Sequence, residues 1–151
     1  MTGFFLGIKN IFTWFKIIWN DRQWDSYFLL VLMQYKLTLM QKYFETNAHH
    51  LEADKNIIDI KICKNLLKRL AEDDYYKNVF LFHDEKWGKL NITFEDDNRI
   101  SITRKNCVTE QEKKEEKKEA INLRDKEALL IDQDLNLLFK IMRKQIKHWW
   151  D

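Results

Sequence analysis

Proline is absent from this chain of 151 residues, and glycine occurs three times, at Gly3, Gly7 and Gly88. These two residues are the strongest helix breakers, so their scarcity lets helices run for long stretches. Apolar residues recur along those stretches at i, i+3, i+4 and i+7, the spacing of one helical face. A mainly α fold follows: a helical bundle with one small antiparallel β-hairpin and a long charged C-terminal helix. The same scarcity argues against glycine-rich phosphate loops, a nucleophile elbow and a dinucleotide fingerprint, whose tight backbones glycine supplies cheaply.

The spacing predicts a first helix over about Phe4 to Trp19, with Phe4, Ile8, Ile11, Phe15 and Ile18 along a broad apolar side expected to face the core. Lys9, Asn10 and Lys16 interrupt this stretch, which therefore suits neither a spanning helix nor a signal peptide. A helix lying in a membrane interface is the alternative for a segment that sets lysines beside Trp and Phe. Asp25 or Ser26 is a good N-cap for a second helix ending near Glu45, with the seam Leu30, Met33, Leu37, Met40 and Phe44. A third helix is expected from about Glu52 to Tyr75, burying Ile57, Ile60, Cys63, Leu67 and Leu70. Val79 to Phe82 is a short apolar run that periodicity alone does not assign.

The pattern then changes to alternation. Leu90, Ile92 and Phe94, with Ile100 and Ile102, flank the turn-forming Asp96-Asp97-Asn98 and predict a hairpin over about 89–104. An isolated hairpin is marginal in water, so its apolar face is expected against the helices. Thr109 and Glu112 have the spacing of a capping box and open a helix over about 110–150. Its first part, Glu112 to Glu119, carries only charged residues and reads as a solvated helix supported by pairs three or four apart. Ile131, Leu135, Leu138, Met142, Ile146 and Trp149 then form a stripe that serves as a core face or as the seam of a homodimer. The whole, 1–151, is read as a single helical domain.

The net charge of +2 carries no global signal for nucleic acid. Cys63 and Cys107 are too few for a disulfide scaffold and lack a zinc spacing; they suit a reducing cytosol as ordinary thiols. Asp21, Arg22, Trp24 and Asp25 either lock the first helical corner or form a recognition patch, because Trp, Tyr and Arg dominate binding hot spots. Asp73, Asp74, Tyr75 and Tyr76 offer the same choice, and Trp87 joins them as a candidate protein contact. Lys140, Arg143, Lys144 and Lys147 beside Trp150 form a basic and aromatic end that suits single-stranded nucleic acid or an acidic protein surface, or simply complements the helix dipole. His49, His50 and His83, with nearby acids, are the candidate metal ligands, although their spacing is not diagnostic. No cofactor is called for, and no serine or cysteine nucleophile has a neighbouring base in a recognisable context.

The segments Ile18-Trp19-Asn20-Asp21-Arg22-Gln23-Trp24-Asp25, Glu72-Asp73-Asp74-Tyr75-Tyr76 and His83-Asp84-Glu85-Lys86-Trp87-Gly88 resemble a group of small proteins encoded by bacteriophages and found in viral metagenomes. The similarity runs from the first helix to Gly88 and returns over the last helix, ending in Trp149-Trp150-Asp151. No activity is assigned to that group, so no catalytic residue is carried over. The resemblance implies a viral origin and the cytoplasm of an infected bacterium. The function expected is non-enzymatic: binding of a host or viral protein, with inhibition of a bacterial defence system as the specific form. The alternatives are a metal-dependent hydrolase acting on nucleotides or nucleic acid, and a structural component of the virion.

Overall fold

The computed structural model describes residues 2–22, 24–46, 53–94 and 100–150; of Thr2, Ala53 and Trp150 it describes the backbone. The elements are α1 (Thr2–Ile18), α2 (Ser26–Thr46), α3 (Ala53–Glu72), α4 (Tyr75–Trp87), β1 (Leu90–Phe94), β2 (Ile100–Arg104), α5 (Glu110–Gln145) and a closing 3₁₀ turn, His148–Trp150. Helices dominate, and among the described residues the one sheet is the antiparallel pair of β1 and β2. No described helix is long and apolar enough to cross a membrane. The chain divides into two compact units, the first made of residues 1–72 with 135–151 and the second of 73–134.

In the first unit, Leu37, Met40 and Phe44 of α2 pack with Ile60, Cys63, Leu66 and Leu67 of α3, and Leu138 and Trp149 complete the cluster. Leu30, Met33, Ile57 and Leu70 border it, half-buried. The seams expected on the second and third helices thus form one core with Leu138, Met142 and Trp149 of the last stripe, whereas Ile146 is exposed and Ile131 belongs to the second unit. Each buried aliphatic side chain contributes roughly 1.5–3 kcal/mol relative to exposure. Burial, followed by the field of Asp59, pushes the Cys63 thiol up to about 11. The start of α2 is fixed by Asp25, whose carboxylate accepts the Tyr27 backbone N–H at 2.9 Å.

The first helix departs from expectation. Its contacts to α2 run through Trp14, whose ring meets that of Tyr35 edge-on at 5.3 Å. Tyr35 also donates its hydroxyl to the Thr13 carbonyl at 2.8 Å. The face expected in the core, Phe4, Ile8, Ile11, Phe15 and Ile18, is exposed instead. Helical phase explains this: Thr13, Trp14 and Ile17 are the half-buried residues of α1, and the larger apolar face points away from them.

The third helix ends at Glu72, earlier than its periodicity predicts, and the second unit begins there. Asp73 takes a left-handed φ of 49°, which breaks the run and starts α4, so that Val79 to Phe82 belongs to a helix. Tyr75, Val79, Phe80, His83 and Trp87 form the buried side of α4. Gly88 ends it at φ 78° and ψ 169°, a region open essentially to glycine alone. The strands pair with Ile92 opposite Ile102 and Phe94 opposite Ile100. Their connection, with Asp96-Asp97-Asn98, lies outside the described residues. The predicted capping box is present: Thr109 Oγ1 accepts the Glu112 N–H at 3.2 Å, and Glu112 Oε2 accepts the Thr109 N–H at 2.7 Å. These bonds hold the Glu112 carboxyl below the ordinary range, Thr109 contributing most and the Val108 N–H adding to it. From this cap α5 runs as one helix to Gln145.

Candidate functional site

The second unit is organised around one guanidinium. Arg104 ends β2, and its neighbour across the hairpin is Leu90, which places it on the apolar side of the sheet. There its Nη1 donates to Asp84 Oδ1 at 2.6 Å and to the Gly88 carbonyl at 2.7 Å, while Nε donates to Glu116 Oε1 at 2.8 Å. A single buried side chain thereby ties β2 to the end of α4 and to α5. Its pKa rises further: burial opposes the charge, and the bonds to Asp84 and Glu116 outweigh it. A turn along α5, Glu119 accepts Trp87 Nε1–H at 2.7 Å and Lys86 Nζ at 2.9 Å. Its carboxyl is held below the usual range, by Trp87 first and Lys86 second.

The charged run therefore has two sides. Glu112, Glu116 and Glu119 fall at i, i+4 and i+7 and are the half-buried members of that run, serving respectively as cap, clamp and indole acceptor. The lysines between them stay exposed. The run is helical as read, but one edge of it is built into the unit rather than solvated.

His83 is buried, with 1% of its surface exposed. Its Nε2 lies 3.6 Å from Glu116 Oε1 and its Nδ1 3.9 Å from Asp84 Oδ1, and neither nitrogen has a hydrogen-bond partner among the described residues. Arg104 engages both carboxylates. Among the described residues no group of three His, Cys, Asp or Glu could hold a metal ion, and His49 and His50 lie outside the described residues.

The apolar side of the hairpin is open. Leu90, Ile92, Phe94, Ile100 and Ile102 share one face and are all exposed, Phe94 to 80%. The expectation that this face packs on the helices holds only at its base, where Leu90 and Ile102 border a groove with Tyr76, Phe80 and Ile121. The hairpin manages this because Arg104 anchors it by charge rather than by apolar burial. The groove has a volume of about 580 Å³, and Lys113, Lys117 and Arg124 stand along it. Glu116, the acid in its lining, is bonded to Arg104.

The residues singled out in the sequence are placed as follows. Tyr75 is buried and donates its hydroxyl to Asp134, and Trp87 is buried against Glu119, so both belong to the scaffold. Tyr76 is exposed and stacks on Phe80 at 4.4 Å. Asp73 is exposed, and half-buried Asp74 meets Lys77 at 2.6 Å. In the first unit, Asp21, Arg22 and Asp25 line a shallow cavity of about 540 Å³. Arg22 stands over the Trp24 ring at 5.8 Å, and Trp24 is 79% exposed. Lys140, Arg143, Lys144 and Lys147 are exposed, and Trp149 is a core residue. No side-chain placement is described for Trp150. Cys63 and Cys107 are free thiols. No protein-family model, curated protein or solved structure matches the chain.

Proposed function

We propose that the protein is a non-enzymatic interaction protein whose contact surface is the apolar face of the hairpin and the groove at its base. The observation that carries this reading is the exposure of Leu90, Ile92, Phe94, Ile100 and Ile102 on one side of a hairpin that Arg104 holds in place. Apolar patches of this kind on a soluble surface mark binding sites. Rigid presentation lowers the ordering cost of binding. Lys113, Lys117 and Arg124 along the groove favour a partner segment in which acids flank apolar anchors. In this reading the partner is a host or viral protein in the cytoplasm of an infected bacterium. The resemblance to phage proteins puts a component of bacterial defence first among such partners.

A photo-crosslinking residue at Phe94, introduced in the tagged chain and expressed during infection, tests the reading. The expected result is one discrete crosslinked protein that disappears when Ile92 and Ile100 are both changed to serine. An identical captured set with and without those serines would overturn it.

A further inference from the structure

Helix α1 leaves uncovered an apolar face too wide for a groove-bound stripe. Phe4, Ile8, Ile11, Phe15 and Ile18 share one side, and Phe5 and Phe12 extend it along one flank; all seven are exposed, Phe4 to 72% and Phe12 to 76%. At 3.6 residues per turn the polar sector holding Lys9, Thr13 and Lys16 spans only about 60° of the helix. Thr13 turns its hydroxyl inward to the Lys9 carbonyl at 2.8 Å, so the charge of that sector is the two lysines. Neither lysine meets a carboxylate among the described residues, and α1 itself contains no acid. Trp19 and Trp24, both exposed, follow at its C-terminal end.

From this geometry we infer that α1 is a membrane-surface helix that lies in the interface of an anionic bilayer. Three features select that occupant over a protein. The apolar arc is broad and aromatic, as suits burial into lipid at the headgroup boundary, whereas a helix seated in a protein groove presents a narrower row of anchors. The cations flank the arc at a seven-residue spacing, where lipid phosphates would meet them. Trp side chains favour the membrane–water boundary. A second copy of α1 is the poorer occupant, because pairing two such helices gathers four lysines with no acid in either helix. At 17 residues the helix is about 25 Å long, and it lies on the bilayer rather than spanning it.

The test is flotation of the purified full chain with phosphatidylcholine vesicles, with and without phosphatidylglycerol, at low and high salt. The chain is expected to float with the anionic vesicles and to be released by salt. Lys9→Gln with Lys16→Gln is expected to weaken binding about thirty-fold, and Ile11→Ser about tenfold or more. All these side chains are exposed, so circular dichroism melts should be unchanged and a loss of binding is not a loss of folding. Failure to float with anionic vesicles would overturn the inference, as would flotation indifferent to Ile11→Ser. Concentration-dependent dimerisation abolished by Ile11→Ser, without vesicle binding, would assign the face to a second copy and overturn it too.

Discussion

Replacing Arg104 with methionine keeps most of its volume and removes the charge that joins β2 to α4 and α5. Hydrogen bonds to charged groups contribute about 1.5–3 kcal/mol each. The Asp84 and Glu116 side chains retain 36% and 19% exposure, so the lower end applies to both, and with the bond to the Gly88 carbonyl also lost the cost expected is at least about 3 kcal/mol. In a chain of this size that lowers Tm by roughly 6–12 °C. Because the chain divides into two compact units, a global melt is best paired with hydrogen exchange, which should locate the loss in residues 84–104. Arg104→Lys should recover little, since an ammonium cannot reproduce the Nε and Nη1 fork. A double-mutant cycle with Glu116→Gln should show a coupling of about 1–2 kcal/mol. Stability of Arg104→Met within about 0.5 kcal/mol of the parent, or coupling near zero, would refute the clamp.

Gly88→Ala should cost about 1–3 kcal/mol in backbone strain, and more because its new Cβ would sit 3.1 Å from Lys105 Cβ; an unchanged melt would contradict this. The depressed Glu119 pKa gives the second unit an acid-labile contribution. The ionised carboxylate is the bonded form, so its stabilisation is complete above the ordinary value of about 4.5 and is lost as pH falls through the lower folded value. Trp87→Phe removes the larger cause of that depression, so melts recorded from pH 6 to pH 3 (roughly the window set by that carboxyl) should fall less steeply for the variant; parallel curves would count against it. Cys107 is half-exposed and Cys63 fully buried, and burial raises both thiols above their ordinary pKa. A thiol-specific reagent should therefore label Cys107 in the native protein and Cys63 only on unfolding; equal labelling rates would show that the α2–α3 core opens readily.

The clamp was only half legible in the sequence. A run in which acids and lysines alternate in pairs reads as a solvated helix, because each charge has a partner three or four residues away. Yet Glu112, Glu116 and Glu119 also trace one edge of that helix, and an edge carrying three acids is a signal for a neighbour rich in donors. The missing information was the donor's position. Arg104 closes a strand of alternating residues, and its reach to Asp84 depends on where Gly88 turns the chain, which no local spacing encodes. Periodicity likewise carried the third helix through to Tyr75, because apolar spacing is blind to the left-handed residue at Asp73 that divides α3 from α4.

Apolar periodicity states that a face exists and is silent on what covers it. On α2, α3 and the end of α5 the faces find one another, and a shared core results. The same reasoning applied to α1 and the hairpin predicted burial; it failed on α1 and held only at the base of the hairpin, for different reasons. α1 has apolar residues on two sides; Trp14 meets α2 at Tyr35, Ile17 is half-buried, and the broader side is left over. The hairpin is held by Arg104 and so does not need its apolar face for attachment. In each case folding leaves the apolar surface exposed, at a solvation cost of roughly 25 cal/mol for every Å² kept in water. Its binding energy is therefore still available to a partner, and the two faces differ in which partner they suit. Cations and aromatics around a broad helical arc match a phosphate-bearing bilayer, whereas a sheet face above a basic groove matches an acidic and apolar protein segment. Serine at Ile11 and serine at Ile92 and Ile100 should accordingly abolish different interactions, and a single substitution that abolished both would show that the two surfaces serve one partner.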